Sequence, residues 1–197
     1  MRTSRRQKTE GQEDAREGKR GMVQETASFI LYIAIVFLLT YLVIHYVGQR
    51  TQVSGMSMEY TLSDGDNLIV DKISYRFHKP ERFDIIVFPY QHEENTYYIK
   101  RIIGLPGETV QIGEDGTIFI DGEELEESYG REAIQDPGAA REPVALADGE
   151  YFVLGDNRNA SSDSRDPNVG VIKGKDIIGR AWLRIFPFHK FGFVKHK

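Results

Sequence analysis

The chain has 197 residues, 40% of them hydrophobic and 28% charged, which is enough for one globular domain with appended segments. Residues 48–197 carry 18 Lys and Arg against 25 Asp and Glu, and this acidic excess argues against nucleic acid as a partner. The absence of cysteine excludes thiol catalysis, disulfides and cysteine-ligated zinc.

A single membrane-spanning helix is predicted at residues 26–49, a stretch without Asp, Glu, Lys or Arg. Its apolar core and flanks reach the roughly 20 residues that a helix needs to cross a bilayer. A cleaved secretory signal, the alternative, would have an apolar core of roughly 7–15 residues and end in a small-x-small site. Residues 45–50 offer no such site, so an uncleaved anchor is favoured.

Basic residues predict the orientation of this anchor. Seven Lys and Arg precede it, whereas only Arg50 follows closely and the next basic residue is Lys72. The positive-inside rule places the N-terminus in the cytoplasm and the rest of the chain outside the plasma membrane. The predicted organisation is a disordered basic tail (1–25), a transmembrane helix (26–49) and an extracytoplasmic β domain (50–197).

The outer domain is predicted to be mostly β, an antiparallel assembly of packed sheets or a partly open barrel. Its strand candidates are short, rich in Ile, Val, Phe and Tyr, and bounded by Gly, Pro, Asp or Asn. Gly and Asp in the turns at 114–117 and 121–122 are typical of hairpins, and the polar segment 123–141 is expected to be a surface excursion. The predicted strands are residues 67–73, 84–88, 96–103, 109–112, 117–120, 150–154 and 177–185.

Ser57 is the first candidate for chemistry. It follows Gly55 in a region without regular pattern, between the anchor and the first predicted strand. A turn that contains glycine can point backbone amides at a developing oxyanion, which suits a nucleophile. Taken alone, a serine in an ordinary turn is the simpler interpretation.

Lys100 is the second candidate, because a serine nucleophile needs a base and a lysine can be that base only when it is neutral. On a strand, Lys100 shares one face with Tyr98 and Ile102. If that face is buried, the pKa of Lys100 falls. An exposed lysine on an edge strand is the simpler interpretation of this residue alone, and the neighbouring Arg101 is expected to point outward.

The third candidate is the polar segment 155–167, which follows the predicted strand 150–154. Its density of Asp, Asn, Ser and Arg predicts a loop whose side chains bond each other and the backbone. A solvated turn is one alternative, and a calcium loop is another, although the spacing does not match one. A hydroxyl and a carboxylate in this loop could orient a lysine amine.

A histidine base is not favoured, because no histidine lies in a recognisable constellation. Surface positions are the expected interpretation for all five, which are His45, His78, His92, His189 and His196.

These three segments, in this order after an N-terminal anchor, resemble bacterial type I signal peptidases. The likeness spans nearly all of residues 26–185, and the compact outer domain without cysteines is similar to the single-anchor Gram-positive form. The segments similar to the family are 55–62 (nucleophile box), 65–70, 82–88, 98–108 (lysine box), and 155–158, 161–165 and 179–181 (final box).

The resemblance implies a role for individual residues. Ser57 would be the nucleophile, and its amide would supply one oxyanion donor. Lys100 would be the general base, and Ser161 would orient its amine. Asp163 would pair with Arg165 and hold their loop against the dyad.

The resemblance also implies where substrate binds. Pockets for small P1 and P3 side chains would be formed around Met58, Leu62, Tyr98 and Ile99. Two positions depart from the family pattern. Tyr60 stands where the family usually has proline, and Gly55 stands where some members have a hydroxyl residue, which leaves the second oxyanion donor open.

The implied function is an endopeptidase that removes signal peptides from exported preproteins, after a small residue in an Ala-x-Ala site, through an acyl-enzyme. The implied partners are secretory preproteins and membrane lipid, without nucleic acid, metal or organic cofactor. Two alternatives are a Ser–Lys protease of the self-cleaving repressor type and a non-catalytic, membrane-tethered binding domain derived from a peptidase. The anchor argues against the first, and the intact Ser57 and Lys100 argue against the second.

Overall fold

The computed structural model describes residues 24–42 and 48–196, which fall into two separate compact units. The first unit contributes the helix α1 (Gln24–Leu42), whose 19 residues are all exposed. At 1.5 Å per residue it is about 28 Å long, close to the thickness of the hydrocarbon core of a bilayer. Most of the predicted tail (1–25) lies outside the described residues, and Gly48 and Gln49, predicted as the end of the anchor, instead begin the first strand.

The second unit is built of antiparallel strands, which confirms the predicted fold class. Among residues 48–196 they form two sheets, ordered β1-β2-β11-β3-β4-β9-β10, with β12 beside β11, and β7-β6-β5-β8. The strands are β1 (Gly48–Gln52), β2 (Asn67–Asp71), β3 (Ile85–Pro89), β4 (Tyr97–Gly104), β5 (Thr109–Ile112), β6 (Ile118–Ile120), β7 (Glu123–Glu124), β8 (Val144–Ala145), β9 (Glu150–Leu154), β10 (Ile172–Lys173), β11 (Gly179–Phe186) and β12 (Gly192–Phe193). Short 3-10 helices cover Ser74–Arg76, Gly138–Arg141, Gly174–Asp176 and Phe188–Lys190.

All seven predicted strands are present, with small shifts at their ends, and both predicted hairpin turns are confirmed. Gly116 has a φ of 86° between β5 and β6, and Asp121 and Gly122 have φ values of 53° and 86° between β6 and β7. The strands that the pattern missed are β1, which is polar and largely exposed, and four strands of two residues. Two residues cannot show a period, so such strands are set by tertiary pairing alone.

The centre of the large sheet is buried on both faces. On β4, Ile102 belongs to one apolar cluster together with Val153 of β9, and Ile103 belongs to another together with Leu154. β4 also pairs with β3 on its other side, so it is not an edge strand. Every residue from 100 to 104 is therefore buried, whichever way its side chain points.

Candidate active site

β4 brings Lys100 to Ser57. The Nζ atom of Lys100 lies 2.9 Å from Oγ of Ser57, within hydrogen-bonding distance, and it donates to the carbonyl oxygen of Ile99 at 3.2 Å. The residue is only 3% exposed, and the Tyr98 ring centroid lies 4.8 Å from Nζ. Two residues that lie 43 positions apart in the sequence thus form a dyad with the geometry of a nucleophile and its base.

Burial is the main cause of an unusual ionisation at Lys100. It lowers the pKa of the amine from 10.5 to about 8, while the nearby carboxylates of Asp163 and Asp156 act in the opposite direction. A substantial fraction of the amine is consequently neutral in mildly alkaline solution, which is the form that can accept a proton.

The turn that carries Ser57 is fixed from beneath by apolar packing. Met58 and Leu62 are buried in one cluster, and the Leu62 amide donates to the carbonyl oxygen of Met58 at 2.8 Å. Burying two such side chains stabilises the turn by about 1.5–3 kcal/mol each. From the other side, Asn157 donates through its backbone N–H to Ser57 O at 3.0 Å and through its side chain to Met56 O at 3.1 Å.

The backbone N–H of Ser57 and that of Gly55 differ in whether they could bind an oxyanion. The N–H of Ser57 makes no hydrogen bond to any residue that the structure describes. The N–H of Gly55 is already used, because it donates to Asp64 Oδ1 at 2.9 Å, and Gly55 has a φ of 89°. Of the two positions, only Ser57 presents an unoccupied amide.

Arg101 does not point outward, so that expectation is wrong. Its side chain is fully buried, and Nε and Nη2 donate to Oδ1 and Oδ2 of Asp156 at 2.8 and 2.7 Å. The Thr61 hydroxyl donates to the same carboxylate at 2.5 Å, and the Tyr129 ring lies 3.8 Å from the guanidinium carbon. Side chains alternate between the two faces of a strand, and Arg101 was assigned to a face exposed to solvent. Both faces of β4 are buried, so a side chain on either face points into the interior. The ion pair ties β4, the serine turn and the polar loop together.

The structure brings Asp163 and Arg165 together within the loop 155–167. The guanidinium donates from Nε to Asp163 Oδ1 at 2.8 Å and from Nη2 to Oδ2 at 2.9 Å. The same carboxylate accepts from the N–H of Gly155 at 3.0 Å, and Arg165 also donates to the carbonyl oxygen of Arg158. The loop is therefore bound internally rather than solvated.

Ser161 is not placed on the lysine amine. Its Oγ is buried and, among the described residues, has no hydrogen-bond partner. The side chain packs against Gly155, where any Cβ atom would collide with both Ser161 and the carbonyl oxygen of Ser57. Ser161 thus lies next to the backbone of Ser57 and, in the described structure, makes no side-chain hydrogen bond to Lys100.

A cleft of about 620 Å³ runs past the dyad. Met58, Tyr98 and Ile99 line it, whereas Leu62 is fully buried beneath the turn and does not. The walls are formed by residues 51–58 and 95–100, with Ala160 and Ser162. Both walls include strand-like backbone, which suits a peptide bound in an extended conformation.

The segment 123–141 lies on the surface but folds back toward the site. The Arg131 N–H donates to Asp156 O at 2.9 Å, and its guanidinium carbon lies 4.7 Å from the centroid of Tyr60. Tyr60 is exposed, and the Glu59–Tyr60 peptide bond is cis. His196 also departs from expectation, because its side chain is half-buried between strands rather than exposed on the surface. No local pattern marks these contacts, since each joins segments far apart in the sequence.

The sequence matches known proteins over most of its length. The family model "Signal peptidase, peptidase S26" matches residues 26–186. "Probable signal peptidase I-1" of Synechocystis is 38% identical, with 83% of each chain covered. "Signal peptidase I" of Bacillus licheniformis is 36% identical over 80% of this chain and 87% of its own.

A crystal structure of a signal peptidase I from Enterococcus faecalis is 39% identical, covering 52% of this chain and 97% of that one, with a TM-score of 0.44. Because the family match extends over most of the sequence and includes both residues of the dyad, this chain belongs to the signal peptidases of family S26, which are membrane-associated serine endopeptidases.

Proposed function

We propose that this chain removes N-terminal signal peptides from exported preproteins at the outer face of the membrane, with Ser57 as nucleophile and Lys100 as general base. Family membership supports the substrate class. The observation that carries the chemistry is the 2.9 Å separation between Nζ of buried Lys100 and Oγ of Ser57.

In the proposed reaction, neutral Lys100 takes the Ser57 proton as Oγ attacks the carbonyl carbon of the scissile bond. The N–H of Ser57 donates to the oxyanion that forms. The lysine ammonium then gives its proton to the leaving amine, and an acyl-enzyme remains. In the second half, Lys100 takes a proton from the attacking water and returns it to Oγ as the ester breaks.

Ser161 has a proposed role in orienting the lysine. Its buried Oγ lacks a partner in the described structure, and an unsatisfied buried hydroxyl costs about 1–3 kcal/mol. A change of its rotamer on substrate binding would allow it to bond the amine. Asp163 and Arg165 hold the loop in which Ser161 lies.

Specificity for a small residue is proposed to come from the cleft beside the dyad. Met58, Tyr98 and Ile99 supply its apolar surface, and Leu62 supports Met58 from the core. An Ala-x-Ala segment in extended conformation would place both alanines on one side of the peptide, toward these residues.

The test is cleavage of a preprotein with an Ala-x-Ala site by the full chain in detergent, with the product masses measured. We expect a single cut after the second alanine and no cut by Ser57→Ala. Absence of cleavage by the parent under any pH or lipid condition would support the binding-domain alternative. Cleavage of the chain itself, but of no preprotein added in trans, would support the repressor-type alternative.

An exposed aromatic surface is proposed to rest on the membrane. It lies on and beside β11 and β12 and consists of Trp182, Phe186, Phe188, Phe191 and Phe193. Aromatic side chains favour the interface between lipid and water. Only five residues join α1 to β1, so a domain tethered by that helix stays within reach of the bilayer surface.

Trp182, the chain's single tryptophan, allows this surface to be tested in the full chain reconstituted into vesicles. We expect brominated lipid to quench its fluorescence, and Phe188→Ser with Phe191→Ser to reduce that quenching by about half or more as the anchoring area is lost. Phe77→Ser, which removes an equally exposed phenylalanine outside this surface, is the matched control. Unquenched fluorescence in the parent would contradict the proposed orientation.

A further inference from the structure

His196 joins two strands of the large sheet at the place where they separate. β11 pairs with β3 through only two residue pairs. The next pair in that register would be Ala181 with Ile85, and the imidazole of His196 lies between these two residues instead. The N–H of Ile85 donates to Nδ1 at 2.9 Å, and Nε2 lies 2.8 Å from the carbonyl oxygen of Ala181.

These two contacts require a neutral imidazole. Because Nδ1 accepts the Ile85 amide hydrogen, it carries no proton of its own, and Nε2 carries the hydrogen that is donated to Ala181. A second proton, on Nδ1, would face the Ile85 amide hydrogen and remove one half of the bridge. The bridge is therefore complete only when His196 is uncharged.

The ionisable groups around His196 act in both directions. Burial lowers the pKa of its imidazole below the ordinary 6.5, and the charges of Arg180 and Arg101 act in the same sense. The Asp84 carboxylate, 3.7 Å from Nδ1, raises it. Two further titratable groups lie close by: Tyr129, whose hydroxyl donates to the backbone oxygen of His196 at 3.1 Å, and Lys195, the preceding residue in the chain.

The bridge connects directly to the strand that carries the base. Ile85, whose amide the imidazole holds, is the partner of Arg101 across the β3–β4 ladder, and Arg101 is the next residue after Lys100. The backbone oxygen of His196 also accepts from Arg101 Nη1 at 3.4 Å. His196 therefore contacts both members of the Ile85–Arg101 pair, and Arg101 directly follows Lys100 on β4.

The same segment reaches the nucleophile through the core. Val194 is buried in one cluster with Met58 and Leu62, beneath the turn that carries Ser57. A shift of the segment 194–196 would therefore disturb the packing under the nucleophile and the environment of Arg101 together.

We infer that His196 is a positioning residue for the Ser57–Lys100 dyad: its neutral imidazole bridges β3 and β11, and its protonation at acid pH opens the bridge and misplaces the dyad. The effect on catalysis rests on the proposed function. The bridge itself rests only on the contacts of His196.

Trp182 provides a direct report on the bridge. Its neighbour Ala181 accepts from His196, its own carbonyl oxygen accepts from the N–H of Val194 at 2.9 Å, and its ring lies 5.6 Å from that of Phe193. Acidification of the full chain in detergent from pH 8 to pH 5 should shift the emission of this tryptophan, with a midpoint below about 6.5, while far-ultraviolet circular dichroism is retained.

Variants assign that transition to one residue. His196→Gln keeps an acceptor and a donor but cannot titrate, so it should show no transition. His189→Gln, which changes an exposed histidine of the neighbouring 3-10 helix, should behave as the parent. A transition that persists in His196→Gln, or a parent without any transition, overturns the inference.

Kinetics connect the bridge to catalysis. The logarithm of kcat/KM should fall by about one per pH unit below the pKa of Lys100, and by about two below the emission midpoint. In His196→Gln the slope should stay near one. His196→Ala should lower kcat at pH 8 by about tenfold with KM within about twofold, and Gln should restore most of the loss. Equal slopes in the parent and the Gln variant overturn the inference.

Failure of the bridge and failure of the proposed function give different results. The emission titration is repeated with Ser57→Ala, which needs no activity to show the transition. If Ser57→Ala cleaves preprotein like the parent, the proposed dyad is wrong, and with it the positioning role inferred here. If Ser57→Ala is inactive and yet no variant of His196 changes the transition, only the inference about His196 is overturned.

Discussion

Replacing Lys100 by methionine is expected to lower kcat by about 10³-fold or more, because the part of the chain that the structure describes offers the Ser57 hydroxyl no other base at hydrogen-bonding distance. In the parent, activity should rise by about tenfold per pH unit from about pH 6.5, above the titration of His196, to a plateau above about pH 8, as the buried amine loses its proton. The measurement is kcat and kcat/KM for preprotein cleavage between pH 5 and pH 9, with Lys175→Met, a change at an exposed lysine, as the matched control.

The stability of the Lys100→Met variant distinguishes loss of chemistry from loss of fold. The folded state lowers the pKa of Lys100, so it binds this proton less tightly than the unfolded chain does. The buried ammonium therefore opposes folding below about pH 8, and this penalty disappears as pH rises toward 10.5. At pH 7 the variant should be inactive and yet have a Tm no lower than that of the parent. An active variant would mean that the base lies elsewhere.

Asp156→Ala is expected to cause the largest loss of stability, about 3–5 kcal/mol, because it leaves the guanidinium of Arg101 buried without a counter-charge. Thermal unfolding of the full chain in detergent measures this loss. Arg141→Ala breaks the Arg141–Glu114 pair, whose side chains are half or more exposed, and it should cost less than about 1 kcal/mol.

A double variant separates the two contributions of the buried pair. Arg101→Met with Asp156→Leu removes both charges, so it should recover much of the stability lost by Asp156→Ala. It still lacks the hydrogen bonds that tie β4 to the serine turn through Thr61, so kcat should stay low. If Asp156→Ala loses no more stability than Arg141→Ala does, the Arg101–Asp156 pair does not hold β4 to the serine turn.

The sequence predicted the fold and the principal site residues to different degrees. The β class and seven of the twelve strands in the described residues follow from short apolar runs bounded by turn residues, which are local properties. Taken singly, Ser57 and Lys100 each had a simpler structural interpretation. Only the order of their segments after an anchor indicated a catalytic site. The periodicity of hydrophobic residues reports local structure, so it does not show that these two side chains, 43 positions apart, are in contact.

Arg101 and His196 were misjudged for the same physical reason. Arg101 and His196 are polar, and polar residues are usually assigned to the surface. Arg101 is fully buried and His196 is half-buried, because a partner distant in the sequence satisfies each of them: Asp156 for Arg101, and Ile85 for His196. Leu62 was expected in a pocket and instead packs in the core, because the turn after Ser57 directs it inward.

The order of strands in the large sheet has a consequence for when the protein can act. β2 pairs with β11, whose residues follow it by more than 100 positions, so the sheet closes only after β11 has been supplied. Contacts of such separation form slowly in folding, because long loops must close first. A chain synthesised as far as residue 178 already contains Ser57, Lys100 and the loop of Asp156, but it lacks the strand that seals the sheet. The surroundings of Ser57 and Lys100 are therefore completed only when β11 pairs with β2 and β3.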